Sequence, residues 1–158
     1  MSCCLNCFSF YNRKHPEQQN IKWEDTTEFF FPIQEGIVIK VYDGDTFTIA
    51  SKMPMANSPL YRFPVRLKGI DAPEIKSHKE DEKIMAVEAR NALSKMILHK
   101  TVTLKNIRNE KYGRILADVY LDNFYINEWL LEEHYAVPYD GKTKNPPRSW
   151  LEYRHMDK

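Results

Sequence analysis

The chain has 158 residues, 42% hydrophobic and 28% charged, the balance of one soluble globular domain whose core needs no staples. A formal net charge of +1 excludes a global field as the source of any nucleic-acid affinity, which must then come from a local patch. No run approaches the roughly 18 apolar residues of a membrane span. Cys3, Cys4 and Cys7 all fall in the first seven residues, where they cannot staple a secreted domain.

Residues 1–20 read as a flexible cysteine-containing tail and 21–158 as the domain. In the tail, Arg13 and Lys14 follow a short apolar patch, whereas a secretory signal places its charges first. Cys4 and Cys7 make half of a zinc knuckle with no second pair, and Ser2 excludes N-myristoylation. Acylation of Cys3, Cys4 and Cys7 would attach the protein peripherally to a membrane; the alternative is a disordered tail with free thiols. A cytoplasmic or peripheral-membrane location is therefore expected, and a monomer.

The lead-in over 21–32, with Trp23, Phe29, Phe30 and Phe31, is expected to pack across the domain as core cover. Residues 35–42 alternate, with Ile37, Ile39 and Val41 on one side, and 46–50 resume the alternation with Phe47 and Ile49. Asp43-Gly44-Asp45 between them is a hairpin signal. After a loop over 52–60, Tyr61, Phe63, Val65 and Leu67 share one parity, so 61–68 is a half-buried strand with Arg66 on its polar face. Pro64 cannot donate to a ladder, which makes that strand an edge or gives it a bulge.

Gly69 and Pro73 turn the chain through RLKGIDAPE (66–74), bringing Asp71 and Glu74 beside Arg66. Met85, Ala89, Ala92, Leu93, Met96 and Ile97 recur at helical spacing, so 82–99 is an amphipathic helix. Residues 101–105 form a fourth strand, 106–111 a loop, and 115–121 a fifth strand. Asn127 is placed as the N-cap of a short helix running to about residue 133. The remainder is irregular until a last helical turn near 150–155. Five short strands with a helix between the third and fourth and another after the fifth predict α+β architecture: a five-stranded OB-type Greek-key barrel with two or three helices.

Polar groups for phosphodiester chemistry come from three separate pieces. Asp45 follows the hairpin, Arg66, Asp71 and Glu74 surround the turn, and Arg114 opens the fifth strand. A hard divalent cation takes oxygen ligands, which Asp45 and Asp71 supply. Two guanidinium forks suit a phosphate gaining charge, and Glu74 is then free to orient or deprotonate a water. Each piece has a plain alternative: a hairpin turn, a salt-bridged turn, a solvated strand end. His78, His99 and His134 have no partner at metal spacing and receive no role.

In order and spacing, VYDGDT, RLKGIDAPE, KYGR and INEWL resemble the staphylococcal nuclease-like (thermonuclease) family over about residues 35–139. The resemblance implies an OB-type barrel and a calcium-dependent nuclease that hydrolyses DNA and RNA, leaving 3′-phosphate ends; single strands are expected to be preferred, because stacking on Tyr112 and Tyr139 needs a base free of its own stack. By position it makes Asp45, Asp71 and the main-chain carbonyl of Ala72 the calcium ligands, Ala72 standing where the family commonly has threonine. It makes Glu74 the partner of the attacking water and Arg66 and Arg114 the phosphate-binding arginines. Asp43 matches a neighbouring acidic position. Lys111, Tyr112 and, across a one-residue gap, Tyr139 become substrate contacts. The family's long final helix is short or missing here. The alternative is an inactive barrel of the same type that binds nucleic acid or a protein; because Asp45, Arg66, Asp71, Glu74 and Arg114 are all present, the enzyme is ranked first.

Overall fold

The computed structural model describes residues 20–156. Strands β1 (Glu35–Asp43), β2 (Thr46–Lys52) and β3 (Leu60–Leu67) form the expected antiparallel meander. Strand β5 (Thr101–Asn109) adds to the free side of β1, and β6 (Ile115–Leu121) adds to β5. A parallel ladder, Val65–Ile115 through Leu67–Ala117, joins β3 to β6 and closes the five strands into a barrel. Closure removes the sheet edge along 65–67. Residues 60–64 lie outside that ladder, so Pro64 sits on an open segment opposite Thr48, as its missing donor requires.

Helix α1 (Glu80–Ile97) connects the meander to β5. Met85, Ala89, Leu93 and Ile97, four apart, are all buried, and Glu80, Asp81 and Glu82 place negative charge at its positive end. Helix α2 (Ile126–Glu132) follows β6 through the two-residue strand β7 (Phe124–Tyr125), and α3 (Trp150–Arg154) lies against α1. Phe47, Ile49, Val65, Leu67, Ile115 and Val119 fill the barrel, continuous with Leu93, Ile97, Ile126 and Leu130 of the helices. Trp150, with Met85 and Val137, forms a second small cluster that docks α3. None of the described helices is long and apolar enough to cross a membrane. The cysteines at 3, 4 and 7, and with them the acylation reading, lie outside the described residues.

Several expectations need correction. In β1, Ile37 and Ile39 face solvent and Val38 is fully buried, because a register shift between Val38 and Lys40 exchanges the parity of the two halves. Strand β5 runs on to Asn109; another register shift, between Lys105 and Arg108 with Asn106 at φ 50°, carries it through the stretch read as loop. Trp23 is 87% exposed and covers nothing; of the lead-in aromatics, Phe31 reaches the core, edge-on to Phe63. Gly44 does not take a positive φ in its turn. It is required for space, because a Cβ there would stand 2.8 Å from the Ala89 Cβ and 3.0 Å from that of Ala72.

Asn127 is not an N-cap. Helix α2 is capped by Tyr125 without a side-chain bond, and Asn127 is buried within the first turn. Its Oδ1 accepts from the Val119 amide at 3.0 Å, and its Nδ2 donates to the carbonyls of Lys68 (2.8 Å) and Ala117 (3.3 Å). The residue clips β6, α2 and the turn after β3 into one body.

Candidate active site

The turn at Gly69 (φ 79°) leads into the two-residue strand β4 (Ile70–Asp71). It pairs with β8 (Val137–Pro138), Asp71 opposite Val137, and the Tyr139 amide donates to the Gly69 carbonyl at 2.9 Å. A short ladder thus fixes the Asp71 backbone and delivers Tyr139 beside it. Asp45 reaches the same place from the start of β2, where Thr46 pairs with Arg66.

Arg66 joins them. Its Nη1 lies 2.9 Å from Asp45 Oδ2, and its Nη2 lies 2.9 Å from Asp71 Oδ1. Asp45 is 4% exposed and pinned on both oxygens: Thr46 Oγ1 donates to Oδ1 at 2.8 Å and the Ala72 amide to Oδ2 at 3.2 Å. Asp71 is equally buried, and its Oδ2 accepts no hydrogen bond among the described residues. Burial disfavours the arginine's charge, but Asp45, Asp71 and Tyr139 outweigh it and raise the Arg66 pKa. The Arg66 guanidinium carbon stands 5.9 Å from the Tyr139 ring centre.

These groups line a cleft of about 680 Å³, together with Asp43, Ala72, Glu74, Lys111, Tyr112 and Arg114. Every site residue placed from the sequence therefore comes to one cavity. Asp43 has its pKa raised, by burial first and then by the charges of Asp45 and Glu74, against smaller opposing effects of Arg66 and Arg90. In the same cleft Arg114 Nε donates to Glu110 Oε2 at 3.1 Å, and its guanidinium stands 5.8 Å from the Tyr112 ring centre. Nε is the tethered nitrogen, which leaves the terminal fork for an anion.

Two participants escaped sequence reading. Glu110 orients Arg114, and an acid four residues before an arginine was a signal present in the sequence. Lys144 Nζ lies 2.5 Å from Glu74 Oε1 and 3.1 Å from Asp71 Oδ1. The Lys144 hydrogen bond and charge lower the Glu74 pKa, against a smaller opposing effect of burial. Glu74 is thereby kept ionised and made a weaker base.

Among the described residues no three carboxylate, imidazole or thiol groups converge closely enough to cage a metal. The site offers less than a cage: two buried carboxylates on the cleft floor, one with an open oxygen, and the Ala72 backbone beside them. An all-oxygen set with room for water and substrate suits a hard divalent ion, so the residues fit the group the resemblance implies.

A family model described as staphylococcal nuclease homologue matches residues 64–156. The chain belongs to this family. The matched span holds Arg66, Asp71, Glu74, Arg114 and Tyr139, while Asp45 precedes it and joins the site through its ion pair with Arg66. Among curated relatives, a probable staphylococcal-like nuclease of Oryza sativa subsp. japonica is 33% identical over 85 residues, covering 54% of this chain and 21% of the relative. A probable endonuclease of Schizosaccharomyces pombe is 30% identical over 128 residues, covering 67% of this chain and 56% of its own length. An uncharacterized endonuclease of Escherichia coli is 30% identical over 112 residues, with 70% and 65% covered. The chain thus spans about a fifth of the length of the Oryza relative.

Proposed function

We propose that this staphylococcal nuclease homologue is a calcium-dependent phosphodiesterase acting on DNA and RNA. The observation that carries the reading is the double ion pair of Arg66 with Asp45 and Asp71 on the floor of a cleft whose walls bear Glu74 and Arg114. A divalent cation held by Asp45, Asp71 and the Ala72 carbonyl would supply Lewis-acid polarisation of a phosphate oxygen. The residues of the chain do the rest. Arg114 meets the phosphate with its free fork, and Arg66 adds a second positive charge below it. Glu74, ionised, accepts a hydrogen bond from a water and aims its oxygen at phosphorus; its lowered pKa favours orienting over deprotonating. A new P–O bond forms to the water oxygen as the bond to the 5′-oxygen breaks; the proton that the water gives up passes to solvent past Glu74, and the 5′-oxygen takes one from solvent as it leaves. A 3′-phosphate and a 5′-hydroxyl result. Lys111 and Tyr112 at the rim hold the neighbouring phosphate and base, with Tyr139 beside Arg66.

The test is a gel assay of purified protein on plasmid and single-stranded DNA and RNA, with calcium or with excess chelator. Cleavage in calcium and none in chelator is expected. Undiminished cleavage in chelator overturns the metal reading. Retention of DNA without cleavage in calcium replaces the enzyme with a binding module.

A further inference from the structure

Lys144 lies on the irregular segment between β8 and α3, 70 positions from Glu74. The segment is tied down on its near side: Tyr139 bonds to Gly69, and the Lys142 amide donates to Asp140 Oδ1 at 2.9 Å. From there the ammonium reaches the floor of the cleft and bridges Asp71 and Glu74. Asp71 Oδ1 therefore faces two cations, Arg66 on one side and Lys144 on the other. They differ in what it takes to move them. The Arg66 side chain is 13% exposed and committed to two buried carboxylates. That of Lys144 is 44% exposed, on a flexible stem, and its compact charge is readily rehydrated.

We propose that Lys144 is a tethered cation that competes with the divalent metal for Asp71 and, through its second contact, positions Glu74 before the metal arrives. The inference rests on the metal-dependent reading above. A metal ion taking Asp71, at its open Oδ2 or across both oxygens, brings a third positive charge to a carboxylate already facing two, and the partner that can leave into solvent is Lys144 and not Arg66. Metal activation is then a displacement. The concentration at which it occurs is set by a residue that ligates nothing. The plain alternative is a surface ion pair that merely tacks the segment down. That alternative allows a loss of stability on mutation but no gain in metal affinity.

Calcium alone is titrated calorimetrically into the full chain, as wild type, Lys144→Met and Lys142→Met, each first shown to be folded by its melting curve. Lys142 carries the same charge on the same segment and controls for bulk electrostatics. Lys144→Met is expected to bind calcium about tenfold more tightly, the scale of one charge-assisted hydrogen bond given up, while Lys142→Met stays near wild type. Equal or weaker binding by Lys144→Met overturns the inference and leaves the metal reading standing. An equal gain in Lys142→Met also overturns it, since competition at Asp71 would not be the cause. If neither wild type nor Lys144→Met binds calcium, the metal reading falls and the inference with it.

Discussion

Asp45 Oδ2 accepts both Arg66 Nη1 at 2.9 Å and the Ala72 amide at 3.2 Å, so one carboxylate oxygen ties the start of β2 to the end of β3 and the residue after β4. The same guanidinium holds Asp71. Two buried acids are thus held close by a single side chain. That arrangement is vulnerable to the loss of the arginine.

Arg66→Ala should therefore damage folding as well as chemistry. Leaving Asp45 and Asp71 buried without their partner costs about 3–5 kcal/mol. We expect a large fall in melting temperature in chelator, partial recovery in calcium, and loss of cleavage in both. Arg66→Lys should restore part of the stability and little of the activity, because a point charge cannot reproduce the fork. An alanine variant that melts like wild type in chelator would show that the ion pairs do not hold the floor together.

Glu110 is predicted to act through Arg114. Burial raises its carboxyl pKa, but the hydrogen bonds from Arg114 and the Tyr112 amide outweigh this and hold it below the ordinary value. A depressed folded-state pKa contributes stability above the unfolded pKa, and the contribution is lost as pH falls through the folded one. Glu110→Gln should cut turnover between about ten- and a hundredfold by loosening the arginine. Its stability deficit should shrink as the medium is acidified. A deficit constant from about pH 7 to about pH 3 would mean that the ionised pair contributes nothing.

What the sequence disclosed depended on how local the signal was. Barrel strands announced themselves where alternation ran unbroken, as in Ile115, Ala117 and Val119, all buried. In β1 the same reasoning put Ile37 and Ile39 with Val41, because a register shift exchanges faces without altering the composition that periodicity reads. The site residues came from short motifs, and the structure collects them in one cleft. Lys144 had no such flag: its partners are distant in sequence, and its own surroundings, GKTKNPP, read only as loop. Asn127 misled for the opposite reason. An asparagine near a helix start has a common local explanation, and its actual partners, Lys68, Ala117 and Val119, belong to other elements.

That role makes Asn127 a stability probe separate from the chemistry. Asn127→Ala strands the buried Val119 amide and deprives two carbonyls of a donor, at a cost of at least about 2 kcal/mol. Denaturant unfolding should show that loss, with cleavage still measurable at low temperature if the site survives. Unfolding at the wild-type midpoint would show that the clip is energetically idle.

Two tyrosines of the cleft, Tyr112 and Tyr139, should prove unequal in substrate choice. Tyr112 is 72% exposed on the rim, with Lys111 Nζ 4.8 Å from its ring centre and Arg114 beside it. Tyr139 is half-buried, its backbone held by the Gly69 carbonyl and its ring set beside Arg66. Of the two, Tyr112 offers the more exposed ring to an unpaired base, and such a stack is worth roughly 1–3 kcal/mol. Stable duplex cannot use it, because its bases are already stacked on one another. We therefore expect single strands and frayed A·T-rich duplex to be cut faster than G·C-rich duplex. Tyr112→Ala should abolish that preference mainly through a higher KM on single strands, leaving the rate on G·C-rich duplex nearly unchanged. Tyr139→Ala should slow all substrates alike, by loosening the arginine beneath them. Initial rates for the three substrates and three proteins decide the matter. Should wild type cut all three substrates equally, or Tyr112→Ala keep the full preference, Tyr112 is a rim residue that no base touches.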